Sequence, residues 1–356
     1  MAQYIEGDLP TKLVKDGSVP FAVIIPIKRQ MNEKIPLILN LHGGGGSREG
    51  LKEEIPSYNQ GWADNTIPKC IVARISGKNK FYSNLNDGTE QWRTFLTDEF
   101  IPFIEKKFNC GGSQKYRYGC GVSMGGHGTL KLAFHDPTLF AAIAAMEPGI
   151  DAAIHPSEIN ERNYLNGRNL SSTMIETKSM LGGTEASKYD LNTYANWNPA
   201  SVLNKNAKLI KHSEMKIFLE VGDQDWLNLH EGAEYLHRLM WDFGIEHEYH
   251  LFNDGDHLGP SLKKRTKIAN DWLYDHINKN LNPTKPEDLE PTPDELKWME
   301  WMMSGGLAKG IPMVGKPVDF NTERGLKMMR ENTQKLGKPN DGPDFIGRFR
   351  WRSSKL

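Results

Sequence analysis

Five residues, Gly121-Val122-Ser123-Met124-Gly125, constrain this chain more than any others. They fit G-x-S-x-G and stand where a strand meets a helix. Lys115 to Gly119 reads as the end of a short strand, and Gly126 to His135 as a helix running into Asp136-Pro137. In that setting the pattern predicts a sharp elbow, with the serine at a strained backbone angle. Residues two positions either side of the serine would collide if they carried side chains, so Gly121 and Gly125 are expected to be steric requirements. The hydroxyl is then held out at the N-terminus of a helix, where developing negative charge is stabilised.

The rest of the chain supplies the frame for such an elbow. Phe21-Ala22-Val23-Ile24-Ile25, Pro36 to Leu41 and Cys70 to Ile75 read as strands, the latter two as continuous apolar runs expected of strands buried on both faces. Trp92, Phe95, Leu96, Phe100, Phe103, Ile104 and Phe108 form one stripe at helical period, with Pro102 inside it as a kink site. Further strands are expected at Phe140 to Met146, Lys216 to Val221 and Glu248 to Phe252, and helices over 228–243 and 261–279. Strands alternating with helices predict a mostly parallel sheet covered on both faces, its site at the carboxyl ends of the strands.

Residues 150–204 are polar and rich in Asn and Ser, and read as an insertion capping the sheet edge or an ordinary surface excursion. The proline-spaced stretch after Asn282 separates a catalytic domain, 1–282, from a linker and extension, 283–356. Within that extension, Asp294 to Gly305 reads as a short helix. The extension as a whole has too little apolar content to fold alone, so it is expected to pack on the main domain or a partner subunit, including in a homo-oligomer.

A serine hydroxyl needs a base within hydrogen-bond reach, and the base needs an orienting group. After an elbow of this kind the chain order is acid, then histidine. Asp225, in Val221-Gly222-Asp223-Gln224-Asp225-Trp226, and His257, in Asn253-Asp254-Gly255-Asp256-His257, each follow a strand in that order. Asp223 competes as the acid but reads better as a turn residue. His42-Gly43-Gly44-Gly45-Gly46 supplies a flexible glycine loop, and the backbone N–H groups of Gly44 and Met124 are the expected oxyanion donors. His42, Gly43 and Trp226 beside these loops are candidate substrate contacts. His127, one turn into the elbow helix, is expected to face the core.

Other chemistries fit poorly. The glycine loop continues Ser47-Arg48-Glu49 and lacks the G-K-[ST] of a phosphate loop. His247, Glu248 and His250 fall on a strand with alternating directions, and no paired C-x-x-C or H-E-x-x-H is present, so neither metal nor other cofactor is expected. A formal charge of −1 gives no overall field for nucleic acid or an anionic membrane surface, and no apolar run reaches the ~18 residues of a membrane helix. Three cysteines make no disulfide framework. Met1 to Glu6 lacks the basic start and apolar run of a secretory leader, which leaves a cytoplasmic location open beside a secreted or periplasmic one with the leader removed.

Taken together, His42-Gly43-Gly44-Gly45, Gly121 to Gly126, Gly222-Asp223-Gln224-Asp225, Gly255-Asp256-His257 and the stretch Asp98 to Glu105 resemble the esterase D / feruloyl esterase group of α/β-hydrolases. The resemblance covers roughly residues 15–280. It implies an α/β-hydrolase fold and a serine carboxylesterase with Ser123 as nucleophile, His257 as base and acid, Asp225 as its orienter, and Gly44 and Met124 as oxyanion hole. The group includes esterases acting on acetyl or feruloyl esters of plant polysaccharides, so the expected substrate is a small-molecule or polysaccharide ester. It also includes S-formylglutathione hydrolases and acyltransferases, which stand as alternatives. A catalytically inactive binding module on the same fold is the alternative of another class.

Overall fold

The computed structural model describes residues 1–29, 33–85, 88–155, 158, 191–328 and 349–355. The chain opens with an antiparallel hairpin of β1 (Ala2–Pro10) and β2 (Ser18–Pro26). There follow β3 (Leu37–Leu41), α1 (Ile55–Asp64), β4 (Ile71–Ile75), α2 (Ile101–Phe108) and β5 (Arg117–Val122). The second half holds α3 (Met124–His135), β6 (Ala142–Met146), α4 (Leu191–Trp197), α5 (Pro199–His212), β7 (Lys216–Gly222), α6 (Leu229–Phe243), β8 (His247–Asn253) and α7 (Pro260–Leu281).

The sheet order is β1-β2-β4-β3-β5-β6-β7-β8, with β9 (Phe349–Lys355) at the far edge. From β4 to β8 every pairing is parallel. Every residue of β3, β4 and β6 is buried, so both faces of the sheet are covered, as parallel strands require. The elbow strand lies in the middle, between β3 and β6, and runs on to Val122, so the turn falls at Ser123 itself.

The aromatic stripe is buried as its spacing predicts: Trp92, Phe95, Leu96, Phe100, Ile104 and Phe108 all sit in the core. The turn before Pro102, Phe95–Phe100, is widened to π-helical form. Proline has no N–H to give the carbonyl four residues back, and its ring would crowd that carbonyl; a wider turn relieves both.

Two expectations need correction. The strand β1 was not anticipated, because Gly7, Asp8 and Pro10 are residues strands usually avoid. It survives as an edge strand, where Gly7 leaves room for the Phe21 ring, 2.6 Å from where a Cβ would sit. The stretch 150–204 is not one surface excursion. Ile150, Asp151 and Ala153 are buried, and from Leu191 the chain is helical, with Tyr194, Trp197 and Asn198 buried. Asn198 explains why polar composition misleads here. Its amide nitrogen donates to the carbonyls of Asp151 (3.1 Å) and Ala153 (2.7 Å), while its oxygen accepts from Asp151 N–H (3.2 Å). A buried asparagine thus satisfies backbone groups that no secondary structure reaches. Residues 159–190 of that stretch lie outside the described residues.

The chain divides into two compact units, Met1–Asn278 with Arg350–Leu356, and Lys279–Phe349. In the second, α8 (Pro293–Met303) begins with a capping box in which Thr292 and Glu295 bond each other's backbone N–H groups, and Arg324 donates to Glu295 at 3.1 Å. Cys70, Cys110 and Cys120 are all free and buried. No helix among the described residues is long and apolar enough to cross a membrane.

Candidate active site

The turn between β5 and α3 holds Ser123 at φ 57°, ψ −119°, a region costly for any residue with a side chain. The crowding that holds it there is measurable. A Cβ on Gly121 would lie 2.4 Å from the backbone of Gly125, and one on Gly125 would lie 2.0 Å from the Leu41 carbonyl oxygen. Ser123 N–H donates to the Met146 carbonyl at 2.8 Å, tying the turn to β6. These contacts give a prediction. In a free helix Gly→Ala stabilises by about 1 kcal/mol. At Gly125 the overlap is with backbone that cannot move aside, so Gly125→Ala should destabilise the fold by about 3 kcal/mol or more, read as a lowered urea midpoint.

The loops after β7 and β8 are locked together by a similar close approach. A Cβ on Gly222 would meet the Gly255 carbonyl at 2.3 Å, and Gln224 N–H donates to that carbonyl at 2.8 Å. This brings Asp225 to His257. His257 Nδ1 lies 2.9 Å from Asp225 Oδ2, and His257 Nε2 lies 3.1 Å from Ser123 Oγ. A carboxylate only accepts, so Nδ1 carries the proton and Nε2 is left to accept from the serine hydroxyl. Asp225 Oδ1 takes the Leu227 N–H at 2.7 Å. Burial raises the Asp225 carboxyl, but the hydrogen bond from His257, with that from the Leu227 N–H, opposes it, and the group is held below its ordinary range. Asp223 is not part of this chain of bonds: it is half-buried, and its Oδ1 has no hydrogen-bond partner. Asp256 accepts from Gly259 N–H and Ser261, as a turn residue.

The glycine loop runs beside the elbow. A Cβ on Gly43 would sit 3.2 Å from the Val122 carbonyl and 3.5 Å from Ser123 Cβ. Met124 opens α3, where the first N–H groups have no intrahelical acceptor. His42 differs from expectation, because its ring is turned inward and is fully engaged. Nδ1 lies 2.7 Å from the Gly43 carbonyl, Nε2 accepts from Gly77 N–H at 2.9 Å, and burial keeps the ring below its ordinary pKa, hence neutral. Its ring nitrogens therefore brace the loop instead of facing substrate. Three further braces had no signal in the sequence. Tyr82 donates to the His42 carbonyl at 2.9 Å, Asn79 accepts from Gly45 N–H at 2.8 Å, and Lys131, fully buried, donates to the Phe81 carbonyl at 2.7 Å. Of the aromatics near the site, Tyr82 and Trp92 are core, whereas Trp226 is 57% exposed, edge-on to the His257 ring at 6.0 Å between centroids. His127 is buried in the core against Phe81 and Trp197.

Glu147, Asp225 and His257 place ligand-type atoms within 4.8 Å of one another. Asp225 and His257 spend theirs on each other, so the group is a hydrogen-bonded cluster first and a poor cation site.

A strained serine elbow at the centre of a mostly parallel sheet, with acid and histidine loops meeting it at the carboxyl edge, defines an α/β-hydrolase. Residues 15–260 match the Esterase family, and the chain belongs to it; it is a carboxylesterase. Solved structures of the same fold include a ferulic acid esterase (17% identity, TM-score 0.60, covering 78% of this chain and 99% of that one). The fluorophosphonate-binding serine hydrolase F of Staphylococcus aureus is similar at 18% identity and TM-score 0.59, over 77% and 98% of the two chains. An S-formylglutathione hydrolase from Agrobacterium tumefaciens is similar at 16% identity and TM-score 0.59, over 78% and 96%. No curated protein matches the chain.

Proposed function

We propose that the chain hydrolyses carboxylic esters through a covalent acyl-enzyme on Ser123, with His257 as general base and acid and Asp225 as its orienter. The observation that carries this is the continuous path of hydrogen bonds from Ser123 Oγ through His257 to Asp225, behind a strained elbow. Ser123 Oγ attacks the carbonyl carbon as His257 Nε2 takes its proton. The tetrahedral oxyanion is met by the N–H groups of Gly44 and Met124, each such donor being worth about 3 kcal/mol in the transition state. His257 then passes the proton to the leaving alkoxide, and the same groups activate a water that releases the acid.

The substrate class we infer is an aromatic or short acyl ester of a carbohydrate. Trp226 is the supporting feature, since a large exposed ring beside the base offers a stacking face that costs little side-chain entropy to use. The likeness to the ferulic acid esterase agrees with it. A Trp226→Ala variant is expected to fold normally and to raise KM for methyl ferulate roughly threefold to tenfold with kcat little changed, the value of one aromatic contact. p-Nitrophenyl acetate turnover should move less than twofold. If S-formylglutathione is turned over efficiently while methyl ferulate and acetylated xylan are untouched, the carbohydrate-ester assignment fails.

A further inference from the structure

Beneath the Asp225 side of the site, two carboxyl groups share one guanidinium. Glu147, Glu220 and Arg265 are all completely buried. Arg265 Nη1 donates to Glu220 Oε2 at 2.6 Å and to Glu147 Oε1, and its Nη2 donates to the Asp256 carbonyl. Glu147 Oε1 also accepts Gly222 N–H at 3.0 Å. That oxygen is fully used. Oε2 of the same carboxyl is buried and has no hydrogen-bond partner among the described residues. Glu147 is also pinned by its backbone: φ is +45°, and its N–H donates to the Glu220 carbonyl at 3.0 Å. Backbone strain of this kind persists only where the surroundings over-determine it.

We propose that Glu147 is a neutral acid at the working pH and directs its Oε2–H at the Asp225 carboxylate, which makes it a positioning residue for the acid–histidine pair; this rests on the reading of Ser123, His257 and Asp225 above. The bonding pattern fits a carboxylic acid: one oxygen accepts twice, as a carbonyl does, and the other is free to donate; Glu220 Oε1 is likewise without a partner, but it is Glu147 that lies beside Asp225 and His257. The charges point the same way. The groups facing Glu147 are Glu220 on β7, Asp225 in the loop after it, Tyr249 on β8, His257, and Arg265 on α7. Only Arg265 is a standing cation. Three ionised carboxyls would leave two buried negative charges unmatched, a cost proteins avoid by keeping a proton. Burial, then the Glu220 charge, push the Glu147 carboxyl up against the pull of Arg265, and Asp225 pushes it further.

With Glu147 neutral, Arg265 cancels Glu220, and the one charge left, on Asp225, is cancelled when His257 takes the serine proton. An ionised Glu147 would stabilise the imidazolium before any substrate arrived and withdraw the base. The proton on Glu147 moves nowhere in the cycle; no bond to it is made or broken.

Infrared difference spectroscopy tests this without reference to turnover. Wild-type protein minus Glu147→Gln at pH 7 should show the carbonyl stretch of a neutral carboxylic acid, and Glu220→Gln and Ser123→Ala should both keep that band. In kinetics with p-nitrophenyl acetate, Glu147→Ala should lower kcat about tenfold, and Glu147→Gln, which keeps a donor toward Asp225, should recover most of the loss. The acid limb of the Glu147→Gln kcat/KM profile should stay within about 0.3 pH unit of wild type. A wild-type spectrum without the band, a band lost in Glu220→Gln, or an acid limb moved down by about two pH units in Glu147→Gln, the shift expected for removing a full charge at this distance, each overturns the proposal. Failure of the triad reading shows separately, as an active Ser123→Ala.

Discussion

Ser123→Ala should lower kcat for p-nitrophenyl acetate about a millionfold, while far-ultraviolet circular dichroism and thermal midpoint stay close to wild type. The size follows from what the hydroxyl does. In the proposed mechanism it is the atom that forms the acyl bond, and its neighbours His257 and Asp225 act only through it. Once it is gone, the oxyanion donors and the cleft still favour the transition state for attack by water, which leaves roughly a thousandfold advantage over solution. The fold is spared because the serine side chain packs against little. The strain of the elbow resides in its backbone and in Gly121 and Gly125, and alanine at φ 57° costs no more than serine there. Residual activity within tenfold of wild type would remove Ser123 from the chemistry.

Asp225→Asn should lower kcat about ten-thousandfold at neutral pH, with KM changed by less than a few fold. Asp225 accepts two bonds, from His257 Nδ1 at 2.9 Å and Leu227 N–H at 2.7 Å. An asparagine whose oxygen keeps the Leu227 bond turns its amide N–H₂ toward His257. The ring then answers with an unprotonated Nδ1, which puts the proton on Nε2 and leaves nothing to accept from Ser123. The imidazolium formed in the transition state also loses its buried counter-charge. Asp223→Asn is the control. That carboxylate does not touch His257, and its replacement should cost less than threefold in kcat. Equal losses in the two variants would mean that either acid can orient the histidine, contrary to the geometry.

Much of this was legible before any coordinates. The glycines at 121 and 125 are diagnostic because the elbow admits no side chain there. The order serine, acid, histidine is diagnostic because each residue follows a strand and so falls at one edge of a parallel sheet. The buried strands β3 and β4 were plain for the same reason, being apolar on both faces. What stayed hidden was set by contacts between distant segments. Asn79 and Tyr82 brace the glycine loop through single hydrogen bonds, Lys131 braces the turn at Phe81 and Ser83, and nothing about them in isolation separates them from surface residues. Glu147 follows β6 in an ordinary-looking Glu-Pro-Gly, yet tertiary packing buries it completely beside two other acids. His42 read as a candidate substrate contact, and nothing in the sequence showed that Gly77 N–H and the Gly43 carbonyl would claim both ring nitrogens. Asn198 shows the general difficulty: polarity signals solvent until the buried backbone it serves comes into view.

The proposed mechanism requires one unusually reactive oxygen, Ser123 Oγ. Full-length protein should be treated with a fluorophosphonate probe at neutral pH, digested, and mapped by mass spectrometry. A single phosphonyl group on the peptide carrying Ser123, absent from Ser123→Ala and formed far more slowly in His257→Gln, is the predicted result. Label on another residue, or equal labelling of the Ser123→Ala protein, would contradict it.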